Sequence, residues 1–506
     1  MDKRKSILNV GISLISRFFL LIAAFYVRRL LIHYIGIDIN GLNSLYTSII
    51  GILTVTEFGI GSAIVYSMYK PIVDGDIRKL AALYYLYRKL YRIIGLLIFI
   101  AGLIVMPFLP MLINDYENLN VNIYFTFFLT LISVVPSYMY SAKTALIEAH
   151  KDNYLTAIIL TIAKMIRYSL QIITILIWKS FAIFLLCQLI DTLLTWGMTE
   201  VIVQRKYSKI IMIHETVDIE TRYEIIRNVK AMFMHKIGTI LVNTIDNVII
   251  SGFIGVVALG IYSNYALVAG VVAGTLSLFF SPLTSVVGHL CAAGNQNKTE
   301  DYFNYFYSLN YILGVVFYLG YFAVIDNVIA LCFGPSLKVS RIIAFIITMN
   351  QFTQYMRSTT LLFRNASGTF YYDRWKPIAE GLCNLLLSLG FVTVLPDNYR
   401  LVGVLVATII TTLLICDIVD PYVVFRHAFG KTPWQFCLKN YSYIALFTLA
   451  LLAMTYLTQT FDNTIIGIMV NGSISVVISL ISLSLVATYD KDFRFRVQTM
   501  FRKHCG

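Results

Sequence analysis

The sequence predicts an all-α integral membrane protein with about fourteen transmembrane helices. Of its 506 residues, 58% are hydrophobic. Mean hydropathy is +0.75, whereas soluble chains are nearer 45–50% apolar. Many apolar runs exceed the roughly 18–20 residues that span a bilayer. The short loops between those runs divide sharply in charge, as membrane topology requires.

The spans are expected near 7–34, 42–69, 91–113, 121–147, 154–178, 181–203, 231–254, 261–289, 306–333, 341–363, 377–395, 400–424, 438–459 and 463–488. With the N-terminus inside, the inner loops and span ends hold 28 Lys+Arg and the outer ones four, Lys179, Lys338, Arg341 and Arg400. This bias predicts a multi-pass cell-membrane protein with both termini cytoplasmic. It also accounts for the net charge of +13, so nucleic acid is not an expected partner. The start, Lys3-Arg4-Lys5 before a long apolar run that carries arginines, reads as a retained first span rather than a cleaved signal.

The first run, Ile7 to Ile35, holds Arg17, Arg28 and Arg29. A cation near mid-bilayer costs about 2.5–3.5 kcal/mol on insertion scales, so it faces a bundle interior, a watery cavity or an anion. Arg17 and Arg28 are eleven residues apart and share a helix face, separated by about 16 Å. They therefore suggest a cationic lining along the membrane normal. Arg28 and Arg29 have an alternative: snorkelling to the outer surface.

Three cytoplasmic stretches follow. Lys70 to Arg92 mixes basic residues with Tyr84, Tyr85, Tyr87 and Tyr91, a composition suited to a headgroup layer. Gln204 to Lys230 is the longest loop, and Thr221 to Glu224 fits a capping box. The tail, Asp490 to His504, alternates aromatic and basic residues and is expected to lie on anionic lipids. Ordinary positive-inside flanks are the plainer reading of all three. No outer loop exceeds roughly ten residues, so nothing outside is large enough to hold the catalytic groups of a glycan polymerase or ligase.

A shift of 219 residues aligns Ile35, Gly36, Gly41, Ser44, Tyr46 and Gly51 with Ile254, Gly255, Gly260, Ser263, Tyr265 and Gly270. The matching glycines suit a tight outer turn and close helix approach. The same shift places Arg17 on Lys236. Parallel repeats of this kind build two-lobed transporters that rock about a site between the lobes. The expected organisation is a first lobe over 1–204, a linker over 205–230, a second lobe over 231–437, two further spans over 438–488 and a basic tail over 489–506.

Lys164 and Arg167 lie three apart in the fifth span and share a face. Arg357 lies seven residues before Arg364 in the tenth. Left unpaired, Arg17, Lys164, Arg167, Lys236 and Arg357 would cost about 12–17 kcal/mol, so hydration, carboxylates or an anionic ligand must match them. The acidic candidates are Glu57, Asp191, Asp246, Asp417 and Asp420. Asp191 or Asp246 could form structural salt bridges, broken and remade during alternating access. Glu57 or Asp246 could instead hold a coupling proton or Na⁺. His235, beside Lys236, could titrate near neutral pH.

The seven cysteines show no C-x-x-C spacing, and no Walker A, H-E-x-x-H or G-x-S-x-G motif occurs. Neither a metal, an organic cofactor, a disulfide framework nor an enzyme activity is expected. Any energy source would be a Na⁺ or H⁺ gradient.

Arg17, Tyr26-Val-Arg-Arg29, His33-Tyr-Ile-Gly36, Gly41-Leu-Asn-Ser44, the run Thr56-Glu-Phe-Gly-Ile-Gly61-Ser-Ala and Asp246-Asn-Val-Ile-Ile-Ser251 resemble the polysaccharide repeat-unit flippases. These belong to the multidrug/oligosaccharidyl-lipid/polysaccharide exporter superfamily, and the resemblance is to the Gram-positive type. It covers the whole chain in topology, is sharpest over about the first seventy residues, and has no single diagnostic motif. It implies two pseudo-symmetric six-helix lobes in a V plus two C-terminal helices. It also implies movement of an undecaprenyl-diphosphate-linked oligosaccharide from the inner to the outer leaflet, beside a polysaccharide polymerase and glycosyltransferases. By span position it gives Arg17, Arg28 and Lys236 the diphosphate.

The residues agree with an anionic lipid-linked glycan. Arginine's fork of donors suits phosphate, and Lys164, Arg167 and Arg357 add candidate contacts. Asp191, Asp246, Asp417 and Glu57 remain for coupling or gating. A drug/cation antiporter of the same fold is the first alternative, and its cavity should be acidic. A membrane glycan polymerase or ligase is an alternative of another class, and a scaffold that transports nothing is a third.

Overall fold

The computed structural model describes residues 3–54, 60–114, 116–213, 215–218, 223, 244–280, 283–292, 296–369, 372–458 and 464–502. Among these residues every element is helical. Each of the fourteen expected spans falls on helix, the seventh being described only over Thr244–Ile254. Among the described residues ten helices are long and apolar enough to cross a membrane. The fold class is all-α and membrane-spanning.

Helix boundaries follow local chemistry. The Asp76 carboxylate accepts from the Lys79 amide at 2.9 Å and starts the Ile77–Val105 helix, as an N-cap should. That start places most of the stretch from Lys70 to Arg92 in the same helix as the third expected span. Tyr84, Tyr87 and Tyr91 lie on the helix's inner face and are buried, packed in one core with Ile94, Leu146 and Val203. Only Tyr85 of the four is exposed. The second expected span is two helices, Ile37–Leu53 and Ile60–Asp74, and the tenth is Arg341–Met356 followed by Ser358–Ala366. The capping box at Thr221 to Glu224 lies outside the described residues.

By compactness the chain divides into Met1–Gly260 and Ile261–Gly506. In the first unit the Lys3–Tyr34 helix packs along Asn153–Ile177, which packs on Phe181–Lys206. In the second, Gln296–Cys332 packs against Thr464–Tyr489 and Arg341–Met356. Near the N-terminal end of Gln296–Cys332 lies an aromatic core: the Phe303 ring lies 5.1–5.5 Å from those of Phe363, Phe425, Phe429 and Phe436, spacings typical of favourable edge-to-face pairs. The Asp397–Phe429 span includes two π-helical turns, Thr412–Cys416 and Phe425–Phe429, either side of Pro421.

The sequence repeat reappears as geometry. Gly36 and Gly255 end their helices at φ 137° and 127°, a left-handed conformation that glycine adopts without strain. Each donates its amide to a carbonyl five residues back, Leu31 and Ile250. Gly41 and Gly260 then meet. A Cβ on Gly41 would lie 1.8 Å from the Val256 carbonyl oxygen, and one on Gly260 would lie 2.3 Å from that of Ile37. The two helices therefore touch by backbone, and Asn40 Nδ2 donates to the Gly260 carbonyl at 3.1 Å. Tyr46 and Tyr265 are both fully buried. Tyr46 donates to the Ile123 carbonyl at 2.8 Å. Tyr265 donates to Asp326 at 2.9 Å and accepts from the Val339 amide at 3.0 Å. Each tyrosine thus ties its helix to the start of the span two later in the chain.

Candidate functional site

The first unit contains a cavity of about 740 Å³ between the helices Ile60–Asp74, Ile77–Val105, Ser137–Ala149, Asn153–Ile177 and Phe181–Lys206. Tyr69, Tyr87, Tyr91 and Tyr140 supply aromatic walls. Ser141, Thr144, Thr195 and Thr199 supply hydroxyls. The Ser137–Ala149 helix contributes most because Ser137, Ser141, Thr144 and Glu148 recur at helical spacing and so share one face. Gly61 makes the space: a Cβ there would lie 2.6 Å from the Tyr91 hydroxyl and 2.9 Å from that of Tyr87. The Tyr87 and Tyr91 rings sit 4.4 Å apart, centre to centre. The Thr156 hydroxyl, also in the wall, has no hydrogen-bond partner among the described residues. Glu148 is the one carboxylate lining the cavity, and it forms no ion pair among the described residues.

The cations of this unit lie beyond that lining. Lys164 is one turn further along the helix face that carries Thr156 and Leu160 into the cavity. It is half-buried and forms no ion pair among the described residues. Arg167 is a further turn on. Its guanidinium pairs with Asp191 at 3.1 Å and lies 4.7 Å from the Tyr168 ring centre. Arg17 and Arg29 are exposed, Arg28 is half-buried, and all three ride on the helix packed along Asn153–Ile177. Lys143 pairs with Glu200. Asp246 is buried, and the neighbouring Asn247 amide donates to Ser48 at 2.9 Å. Glu57, His235 and Lys236 lie outside the described residues.

In the second unit Arg357 belongs to a buried ion cluster. Asp420 is fully buried and accepts from Lys376 at 2.7 Å and from Arg357 Nε at 3.1 Å. Arg357 also reaches Glu380 at 3.4 Å, and Arg364 pairs with Asp373 at 2.5 Å. Three cations thus face three carboxylates. Asp417, one turn before Asp420, is buried, with one carboxylate oxygen unpartnered among the described residues. Arg357 and Arg364 were legible as a seven-residue spacing on one face. Lys376, Glu380 and Asp373 were not, because nothing local in their segment announces a partner.

Among the described residues no group of three or more His, Cys, Asp or Glu could hold a metal ion. The arrangement is that of a binding surface: aromatic faces, hydroxyls and one carboxylate in the described lining of the first unit's cavity, with Lys164, which forms no ion pair among the described residues, one turn beyond it.

No protein-family model matches the chain, and no curated relative matches it in sequence. Solved structures do match. A lipid II flippase, MurJ, in an inward closed conformation superposes with a TM-score of 0.64 at 15% identity, covering 94% of this chain and 98% of that one. An inward-facing multidrug resistance MATE family transporter of the MOP superfamily gives 0.59 at 12%, covering 87% and 98%. The Vibrio cholerae MATE transporter VcmN gives 0.55 at 14%, covering 85% and 100%. The protein is a multi-pass membrane protein with the fold shared by this lipid flippase and these MATE transporters.

Proposed function

We propose that this chain is a flippase that carries an undecaprenyl-diphosphate-linked oligosaccharide repeat unit from the inner to the outer leaflet for cell-surface polysaccharide synthesis. One observation carries the reading: embedded carboxylates and cations differ in how far they are matched. Asp191, Glu200, Asp373, Glu380 and Asp420 each accept an ion pair. Arg17 and Lys164 form none among the described residues. A cation in or near the hydrocarbon layer without a carboxylate needs water or an anionic ligand. A lipid diphosphate supplies that anion, and its glycan suits the tyrosine and hydroxyl walls beside it. The solved lipid II flippase with the same fold moves a lipid-linked cargo, by its name.

In this reading Arg17, Arg28, Lys164 and Lys236 hold the diphosphate in turn. Arg167 and Arg357 are held by Asp191 and Asp420 and join only when those pairs open. Both termini face the cytoplasm. Glu57, Asp246 and Asp417 are the candidates for a coupling Na⁺ or H⁺. A polymerase and glycosyltransferases act beside the carrier, and the basic tail rests on anionic lipids.

Glu148 favours a second reading. A carboxylate in the cavity wall without an ion pair is what exchange of a drug cation for Na⁺ or H⁺ requires, and MATE transporters share the fold. Native mass spectrometry of protein extracted gently from its host separates the two. Bound polyprenyl-diphosphate glycan, lost on Arg17→Ala and Lys164→Ala but kept on Glu148→Gln, supports the flippase. Bound organic cation lost on Glu148→Gln, with no lipid, supports the antiporter and overturns our reading.

A further inference from the structure

The second unit has a cavity of its own, of about 450 Å³. Its register matches the first. Ser137, Ser141, Thr144, Ala145 and Glu148 line the first cavity, and the residues 217 positions later, Gln354, Ser358, Leu361, Leu362 and Asn365, all line the second. Tyr140 would fall on Arg357, and Arg357 leaves the wall because Asp420 and Glu380 hold its guanidinium elsewhere.

The chemistry changes across that register. Glu148 is replaced by Asn365, so among the described residues the second cavity has no carboxylate and no cation in its lining. Its polar groups are the amides of Gln351, Gln354 and Asn365 and the hydroxyls of Ser277 and Ser358. Gln354 donates to Asn350 at 3.0 Å, which leaves its carbonyl oxygen to accept. Tyr355 is buried, its ring packs 5.6 Å from that of Tyr318 and 6.1 Å from that of Phe280, and its hydroxyl has no hydrogen-bond partner among the described residues. A buried hydroxyl without a partner costs about 1–3 kcal/mol unless a ligand or water satisfies it. Amides carry donors and an acceptor together. They match the vicinal hydroxyls of a sugar, while an aromatic face covers its C–H surface.

We infer that the cavity bounded by Gln354, Tyr355, Ser358 and Asn365 is a second glycan subsite, specific for uncharged sugar residues. The inference rests on the flippase reading for its cargo. Arg364 donates to Asn365 Oδ1 at 3.1 Å, leaving the Asn365 amide to donate, and is itself paired with Asp373 at 2.5 Å. A diphosphate would therefore meet no uncompensated cation in the described lining, and a drug cation no carboxylate.

The test places photoreactive p-benzoyl-phenylalanine at Thr144 or at the register-equivalent Leu361 of the full chain. Cells are fed ¹⁴C-labelled glucose, irradiated, and the adducts are identified by mass spectrometry. Hexose-bearing adducts at Leu361 are expected, falling at least tenfold in a Gln354→Leu/Asn365→Leu background. Glycan at Thr144 alone overturns the second subsite and leaves the flippase reading standing. Glycan at neither position overturns both. A sugar-free lipid adduct at Leu361 also overturns the subsite, since it marks an acyl-chain slot. Monodisperse elution and an unchanged Thr144 adduct show that the double variant is folded; with those met, an undiminished Leu361 adduct removes these amides from sugar recognition and overturns the proposal.

Discussion

Arg357 and Arg17 are both arginines in transmembrane helices, yet their surroundings give them different work. Arg357 is closed in by Asp420 and Glu380 at 3.1 and 3.4 Å, and Lys376 shares Asp420. Removing one partner from a buried ion network leaves an uncompensated charge, typically at a cost of about 3–5 kcal/mol. Arg357→Met should therefore lower the thermal midpoint markedly in detergent. Arg17→Ala should stay within about 0.5 kcal/mol of the parent, as for an exposed side chain away from such networks. Equal midpoints for the two variants would remove the structural role given to Arg357. The sequence marked both arginines as anomalous because charge in an apolar run is visible in one dimension. It could not separate them, since Asp420 and Glu380 come from segments 63 and 23 residues away. The cavity of the first unit was hidden for a related reason. Ser141 and Thr144 back-bond to carbonyls four residues earlier, which looks like ordinary helix satisfaction. Tyr87 and Tyr91 suit a headgroup layer as well as a cavity wall, so composition alone could not place them.

At the scale of the element, the glycines were the legible part. Gly36 with Gly255, and Gly41 with Gly260, were matched from sequence, and each pair performs one job: a left-handed helix end or a backbone crossing. Gly41→Ala must push the Val256 carbonyl away. Overpacking of this kind costs about 1–3 kcal/mol. The thermal midpoint should fall, while Gly270→Ala, with open space around it, should leave it unchanged. The Lys491–Arg502 helix allows a pH test. Asp490 joins it to the last long helix and accepts from Lys439 at 2.7 Å, Tyr443 at 2.7 Å and the Phe493 amide at 3.0 Å. Burial alone would raise this carboxyl, but these donors hold it below its ordinary value. A depressed carboxyl contributes stability that is complete above its unfolded pKa of about 3.9 and is lost as pH falls through the folded value. Limited proteolysis should therefore leave the tail protected at about pH 4 and release it progressively as pH falls from about 3.9 toward the lower folded value. Asp490→Asn should release it equally at pH 7 and pH 3.5. A tail that stays protected in Asp490→Asn at pH 7 would show that the Phe493 ring, packed on Tyr311 and Tyr443, holds it without the carboxylate.

For the whole molecule, length and hydropathy placed the helices because lipid forces every span to satisfy its own backbone. The same physics says little about cargo, which is why a lipid flippase and drug transporters share this fold. Orientation is the property through which charge and cargo meet. The excess of Lys and Arg over alternate loops predicts Lys151 inside and Lys338 outside. The first unit's cavity is lined at Glu148 and Thr156, close in sequence to Lys151, so the flippase reading requires Lys151 on the side where a lipid-linked precursor is made. In a background with the seven cysteines replaced by alanine, Lys338→Cys should react with a membrane-impermeant maleimide on intact cells. Lys151→Cys should react only after permeabilisation. The reverse pattern would turn the cavity outward, and a carrier that loads from outside exports nothing. The flippase reading would then fail while every helix stayed where it is.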